Sequence, residues 1–567
     1  MTAMLTENLP LLASAPNGAQ KLRELILELA IRGKLLEQNS NDEPASELLK
    51  RIAVEKALLI EQKVIRKGKP LPDIEKDETI FNLPKGWVWI RLGQIGDWGA
   101  GATPARGNSS YFGGEIPWFK SGELIADFIS DSEEHITELA LKECSLRQNK
   151  PGDVLIAMYG ATIGKTAILS VAGTTNQAVC ACTAFNGVFN RYLLLTLKAL
   201  KSNFIGQGAG GAQPNISREK IVATVAGLPP LVEQHRIVSK VDELMVLCDR
   251  LEAQQADAES AHDQLVQALL NSLTQASDAT DFAVSWQRLA EHFHTLFNTE
   301  SSIDALKQTL LQMAVMGKLI PQDPNDEPAK ELLNRITQEK TQLMADGRIK
   351  KQKPLAEITE EERPFTIPTS WSWSRIGELA LSTEYGLSEK TSDLLDGVPV
   401  LKMGDIQRGQ VILGGQMKVS RTTEGLPELY LESEDLLYNR TNSAELVGKT
   451  GIFCGAANEF TFASYLIRIR CLKTLFSPAY LNVSMNTPAF RETQINPHLK
   501  QQCGQANVNG TIMKNMLISV PPVAEQHRIV AKVDQLMAIC DQLKTRLAQA
   551  RQINEQLAST LVEQAVA

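Results

Sequence analysis

Three stretches of this 567-residue chain carry spacings that could do chemistry on a nucleotide or a cofactor. GATIGKT, ending at Thr166, comes near the GxxxxGK[ST] phosphate loop, in which backbone N–H groups cradle phosphate oxygens. The first glycine of that spacing falls on Tyr159, and the related SAELVGKT has Ser443 there. Neither is a phosphate loop. Gly206, Gly208 and Gly211 satisfy GxGxxG, but the preceding RYLLLTLKALKSNF reads as a helix where a strand is required, and Pro214 stands where a helix should begin. FIGQG, within the same run, echoes an S-adenosylmethionine loop, yet the Asn-Pro-Pro-aromatic site for an extruded adenine is missing. Asn496-Pro497-His498 comes nearest. A Gly-rich turn is the expectation at 206–211. His292 and His294 alternate beside Phe293 and Phe297 without an acidic or cysteine cluster, so surface or packed histidines are expected rather than metal ligands. No catalytic, cofactor-binding or metal-ligating residue is assigned to this chain.

What remains is charge. The net charge of −8 speaks against a polyanionic partner, but distribution matters more than the total. Between Ser145 and Pro230 eight basic residues face Asp153 and Glu219 alone; between Leu436 and Pro522 eight face three acids. Residues 231–275 reverse the balance, with three bases against eight acids. A cationic half in each block is what phosphate binding requires, since each neutralised phosphate releases counterions. Arg106, Lys120, Lys165, Arg440 and Lys449 stand beside Gly-rich turns and suit phosphate or guanine contacts. Gln213, Asn215, Gln505 and Asn507 could bond adenine edges or stabilise turns. Tyr111 and Trp118 are expected in the core.

The elements that must position these residues come in two copies. GKLLEQNSNDEPASELLKRI from Gly33 returns as GKLIPQDPNDEPAKELLNRI from Gly317, 284 residues later, and the same shift carries Phe81, Trp87 and Trp89 onto Phe365, Trp371 and Trp373. PPLVEQHRIVSKVDELMVLCDRL from Pro229 returns from Pro521 as PPVAEQHRIVAKVDQLMAICDQL, an offset of 292. Eight extra residues therefore lie in a middle that has diverged while its flanks have not. The simplest physical reading is one scaffold presenting two recognition surfaces.

Leucines at 22, 25 and 29 mark a helix over 19–36, and a second is expected over 45–66 after the Asn41-Asp42-Glu43-Pro44 turn. A basic linker runs from Lys63 to Lys69. VLIAMYG, KTAILSV and AVCACTAF read as strands, as do DLLYN, KTGIFCG and YLIRIRCL in the second copy. Ile237, Val241, Leu244, Cys248 and Leu251 recur at spacings of 4, 3, 4 and 3, as do Ile529, Val533, Leu536, Cys540 and Leu543. That 3.5-residue rhythm is a coiled-coil seam, continued weakly through Leu265 and Leu269 and through Ala550, Leu557 and Leu561. Glu233, Gln234 and their counterparts Glu525 and Gln526 follow paired prolines and suit helix capping; His235 and His527 are read as structural.

The expected fold is α+β: two mixed α/β recognition domains separated by a pair of long antiparallel coiled-coil helices, in a pseudo-two-fold repeat with an extra helical region in each half. The boundaries are 1–84 (helical), 85–230 (first recognition domain), 231–275 (central helix), 276–368 (linker and helical region), 369–522 (second recognition domain) and 523–567 (C-terminal helix). A hydrophobic content of 43% and a charged content of 22% fit a soluble globular class. No run approaches 18 apolar residues, the first twenty residues do not read as a signal peptide, and eight cysteines without a CxxC imply reduced thiols. A cytoplasmic location without membrane contact is expected.

Two divergent inserts, each closed by PP-x-x-EQHRIV and a heptad helix, resemble the specificity subunit of type I restriction–modification systems. GATPARGNSSYFGGEIPWFKSGEL from Gly101 looks like the opening of such a recognition domain, and Gln213-Pro214-Asn215-Ile216-Ser217 is similar to the family's QxNIS turn. Gln505-Ala506-Asn507-Val508-Asn509 is its second-copy counterpart, whereas YGLSEKTS from Tyr385 replaces the TPxR opening, so a different DNA target is implied. The helical regions 1–80 and about 300–360 look like the branch with an extended amino-terminal region. The resemblance implies a non-catalytic subunit that binds double-stranded DNA. It also implies two adenine-methylating modification subunits, then ATP-dependent restriction subunits, with S-adenosylmethionine, ATP and Mg belonging to those partners. Each domain would read half of an asymmetric bipartite target, the helices setting the gap. The alternative is a two-headed protein-binding scaffold without DNA specificity, which salt-dependent DNA binding separates from it.

Overall fold

A computed structural model describes residues 15, 17–79, 81–208, 214–276, 279–502 and 505–566. The chain forms two compact units, one of residues 1–258 with 550–567 and the other of 259–549.

In the first unit the helix expected over 19–36 is shorter, Gly18–Ile31. It stops because the chain turns left-handed at Gly33 (φ +68°), and Lys34 N–H bonds back to the Leu29 carbonyl at 2.9 Å. A Cβ at Gly33 would lie 2.3 Å from Pro84 Cγ. Gly317 repeats this after the helix Glu300–Val315, at φ +71° and 2.4 Å from Pro368 Cγ. The repeated GKL strings are therefore helix stops fitted against a proline. The second expected helix is Ala45–Glu61, matched by Ala329–Ala345 in the other unit.

Each unit then ties off a block of sheet. Val88–Arg91 pairs antiparallel with Val225–Leu228, and Ser372–Arg375 with Leu517–Val520. Inside the first pair lies a five-stranded sheet in the order Gly96–Ala100, Val179–Ala184, Val154–Ala157, Thr166–Leu169 and Phe128–Ile129, beside a three-stranded sheet around Phe112–Phe119. The second block holds a six-stranded sheet whose middle strands are Leu466–Cys471, Leu436–Asn439 and Thr450–Ile452. The predicted strands are present in both copies. Val154–Ala157 and Leu436–Asn439 are buried throughout, as central strands covered on both faces must be. Trp118 is core as expected, while Tyr111 is partly exposed and donates its hydroxyl to Glu143 at 2.9 Å.

The Gly-rich turn expected from residue 206 is corrected: Lys201–Gly208 is helical, and Gly211 lies outside the described residues. GATIGKT ends in a hairpin, with Thr166 opening the strand Thr166–Leu169. A phosphate loop opens a helix instead.

Two long helices follow the blocks, Leu231–Gln275 and Val523–Val566. Ile237, Val241, Leu244 and Cys248 are buried, with Leu251 packed beside them; Ile529, Val533 and Cys540 are buried, with Leu536 and Leu543 partly so. The weaker continuation is partly wrong. Leu265 and Leu557 are exposed, 52% and 47%, as is Ala550, whereas Val266 and Ala558 are buried. Leu269 and Leu561 still pack partly against their clusters. Cys248 to Val266 and Cys540 to Ala558 are both 18 residues, five turns of an unsupercoiled helix at 3.6 residues each. Strict heptads are not kept across this stretch. Among the described residues no helix is long and apolar enough to cross a membrane.

Candidate nucleic-acid interface

The frame that carries the candidate residues is held by the repeated EQHR segment, and its role differs from the expected capping. Glu233 Oε2 accepts the Trp87 indole N–H at 3.0 Å, and Glu525 accepts that of Trp371 at 3.0 Å. Gln234 Oε1 accepts Phe189 N–H (2.8 Å) at the start of the helix Asn190–Ala199, while its amide donates to the Pro229 carbonyl (3.1 Å). Gln526 does the same with Ser477 N–H and Pro521, both at 2.9 Å. His235 stacks on Phe189 with centroids 4.0 Å apart. Arg236 pairs with Asp42 and Arg528 with Asp326, the aspartates of the two NDEP turns. The glutamates and glutamines thus join each long helix to its own unit, through side chains far apart in sequence.

The structure also reassigns most of the charge. In the first block Arg147 pairs with Asp97 (2.8 Å), Arg191 with Asp242 (2.8 Å) and Lys198 with Asp127. In the second, Arg468 pairs with Glu384 (3.2 Å) and Arg470 with Asp435 (2.6 Å), while Arg491 donates to the Ala444 and Val447 carbonyls. These acids lie outside the counted blocks, so the local surplus of cations overstated the free positive charge.

The sequence-predicted residues now divide into three groups. Arg106 and Lys120 are engaged: both bind Glu134 (2.6 and 3.2 Å), and Lys120 also binds Glu133 and Glu123. The Arg106 guanidinium lies 4.9 Å from the ring centres of both Phe112 and Trp118. Its carboxylate partner is held below the ordinary range by Arg106, with Lys120 adding to the effect. Arg106 and Lys120 are therefore not loose donors.

The second group converges at one place in each unit. In the first, the hairpin after Val154–Ala157 meets the segment before the helix Arg218–Ala223: Tyr159 bridges to Asn215, and Ile216 N–H bonds the Met158 carbonyl at 2.9 Å. Lys165 closes that hairpin, its carbonyl accepting from Ala157 N–H at 2.8 Å. In the second unit Thr441 pairs with Asn507, Val508 N–H bonds the Arg440 carbonyl at 2.9 Å, and the Lys449 carbonyl accepts from Asn439 N–H at 2.9 Å. Lys165 and Lys449 are thus backbone equivalents, as are Asn215 and Asn507. Both lysine side chains lack a hydrogen-bond or ion-pair partner among the described residues, and both asparagines are exposed. Turn stabilisation falls instead to the neighbours. Ser217 caps its helix at Lys220 N–H, Asn509 caps its own at Thr511 and Ile512 N–H, and Ile216 and Val508 are buried anchors.

The third group is outside description: Gln213 is not among the described residues, and only the backbone of Gln505, in the strand Gln505–Asn507, is. Sequence reasoning missed the exposed aromatics at the convergent edges, namely Tyr159 (42%), Tyr385 (47%) and Tyr465 (48%). Their signal was present, since Tyr159 spoils the phosphate loop and Tyr385 opens the divergent YGLSEKTS. His292 and His294 are both exposed.

Comparison with known proteins identifies the family of the chain. The profile of the type I restriction modification DNA specificity domain matches residues 84–258 and 368–552. The EcoEI specificity subunit of Escherichia coli is 35% identical over 97% of this chain and 94% of its own length; the EcoAI specificity subunit, also of Escherichia coli, is 36% identical with the same coverage. The solved HsdS subunit from Thermoanaerobacter tengcongensis overlaps 86% of this chain and 98% of its own at 17% identity and a TM-score of 0.39. With both sheet blocks inside the matched segments and relatives of this identity over nearly the full length, the chain belongs to the family of type I restriction enzyme specificity subunits, the DNA sequence-specificity subunits of type I restriction–modification systems.

Proposed function

We propose that this chain is non-catalytic by itself and reads an asymmetric bipartite DNA target, one half through residues 85–230 and the other through 369–522. The observation that carries this is the contrast between frame and edge. The Trp–Glu, Gln–backbone and Arg–Asp contacts recur from unit to unit. The convergent edges place Lys165 and Asn215, and Lys449 and Asn507, on equivalent backbone within otherwise different surfaces. Lys165 and Lys449 then contact phosphate, and Asn215 and Asn507 contact base edges. Arg106 and Lys120 reach phosphate by exchanging Glu134 for it; the Arg106 pair is an exposed one that contributes little.

In this proposal the segments 231–275 and 523–567 form an antiparallel coiled-coil pair that relates the two halves by a pseudo-two-fold and sets the unspecified gap. The helical regions 1–84 and 276–368 brace the frame. Two modification subunits and the restriction subunits assemble on the chain in the cytoplasm and bring S-adenosylmethionine, ATP and Mg.

Exchange of residues 85–230 for the corresponding block of a relative tests the reading. A methylation map of a host carrying the full system is expected to change in one half-site and keep the other. Simultaneous change of both would refute separate readers.

A further inference from the structure

Three positions at the convergent edge differ together between the units. On equivalent backbone the first unit carries Ala100, Met158 and Arg218, and the second carries Tyr385, Arg440 and Gly510. The equivalence rests on hydrogen bonds. Gly101 N–H bonds the Val179 carbonyl as Gly386 N–H bonds that of Leu466, so Ala100 and Tyr385 each stand one residue before such a glycine. Met158 and Arg440 each accept from the anchor residues Ile216 and Val508, and Arg218 and Gly510 each follow a helix cap. Met158 is 3% exposed and belongs to the core. Arg440 is only partly buried, and it is held from three sides. Its guanidinium carbon lies 5.0 Å from the centre of the Tyr385 ring, its Nε donates to the Ser464 carbonyl at 2.9 Å, and its own N–H bonds the Tyr465 carbonyl at 3.1 Å.

Tyr385 is fixed in turn, since its hydroxyl accepts Gly510 N–H at 2.9 Å. A Cβ at position 510 would lie 2.8 Å from that hydroxyl, so the ring and the glycine depend on each other. With Nε occupied, the two terminal nitrogens of Arg440 have no partner among the described residues. A guanidinium set over a ring, tied by Nε and without a partner at both terminal nitrogens is a pre-ordered fork. The base edge that matches a fork is guanine, with O6 and N7 side by side in the major groove. A phosphate can take the same fork, but it accepts equally from unordered donors such as lysine, so an ordered fork gains most at a base edge.

We infer that Arg440 reads a guanine in the half-site of the second unit and that Tyr385 is its positioning residue, an arrangement whose equivalent positions in the first unit hold Met158 and Ala100 instead. The inference rests on the DNA-reading role proposed above.

The test uses the full-length chain in complex with its modification subunits and a randomised double-stranded DNA library, sequenced after selection for binding. R440M, which installs the first unit's residue, is expected to erase a guanine preference at one position. Discrimination there falls about tenfold to a hundredfold, and the other half-site is unchanged. Y385L, which removes the ring, is expected to weaken the same position more than Y385F, which keeps the ring and loses only the hydroxyl that Gly510 N–H holds. Persistence of the first half-site reports that the variants fold. Uniform weakening across sequences with a shallower salt dependence would mean a phosphate contact and would overturn the inference, as would loss of both half-sites together. Absence of any enriched sequence with the unmodified chain would instead defeat the DNA-reading role itself.

Discussion

The Trp87 indole donates to the Glu233 carboxylate at 3.0 Å, and the other oxygen of that carboxylate is buried without a hydrogen bond among the described residues. Glu233 is 2% exposed and Glu525, in the same situation, 1%. Burial raises both carboxyl groups above their ordinary value; the indole bond, then Gln38 or Gln322, then the nearby Arg236 or Arg528 pull the other way without cancelling it. A carboxyl raised on folding holds its proton more tightly in the folded chain than in the unfolded one. Its contribution is therefore present at low pH and lost as pH rises through the folded value.

From this follows a pH test. Replacing both glutamates by glutamine (E233Q/E525Q) keeps an acceptor for each indole and removes the ionisation. Urea midpoints measured between about pH 4.5 and 7 should fall less with rising pH in the double variant than in the parent chain. Parallel slopes would show that the carboxylates titrate alike in the folded and unfolded chains.

Lys340 gives a second test. Its ammonium, 7% exposed, donates to the carbonyls of Gly377, Glu378 and Ala380 at 2.9, 3.1 and 2.8 Å. Its repeat partner Lys56 donates, among the described residues, to the Gly93 carbonyl alone, at 2.8 Å, and lies 6.0 Å from the centre of the Phe185 ring. K340M should destabilise its unit by about 3 kcal/mol and K56M by about 1 kcal/mol, following the number of buried acceptors left unpaired. Equal losses in calorimetric unfolding would contradict that scaling.

Much of the frame was legible in sequence because it is periodic or repeated. The seam residues Ile237 to Cys248 showed as spacing, and the strands as short apolar runs between glycines. The EQHR contacts were not legible, because Glu233 meets Trp87 and Arg236 meets Asp42 across long separations that no local pattern encodes. Charge counting failed for the same reason: Arg470 is neutralised by Asp435, one residue outside the counted block, and Arg147 by the distant Asp97. At the candidate interface Lys165 and Lys449 emerged from a failed motif. Tyr385 did not, since its value lies in what it holds rather than in any spacing.

The displaced seam makes a third prediction. If Val266 and Ala558 replace Leu265 and Leu557 on the packed face, V266A should cost about 1–3 kcal/mol. L265K, at a position 52% exposed, should stay within about 0.5 kcal/mol. Thermal unfolding of the two variants distinguishes a shifted seam from a strict heptad, which would reverse the order.

The last prediction concerns the proposed gap-setting role of the long helices. Inserting one heptad into each, between Leu251 and Val266 and between Leu543 and Ala558, adds about 10.5 Å of helix at 1.5 Å per residue. The rotational error is only about 20° per heptad, so the buried faces on either side of each insertion stay close to register. A duplex rises about 3.4 Å per base pair. Helices lying along the DNA axis would thus widen the gap by about three base pairs, and an oblique pair by fewer. Three base pairs also turn one half-site by roughly 100° relative to the other, at about 10.5 base pairs per turn. Overall methylation is therefore expected to drop, and the decisive readout is the sequence of whatever sites remain modified. Unchanged half-sites at a longer gap are the expected result. An unchanged gap with an altered half-site would mean that the helices position the readers' contacts rather than the distance between them.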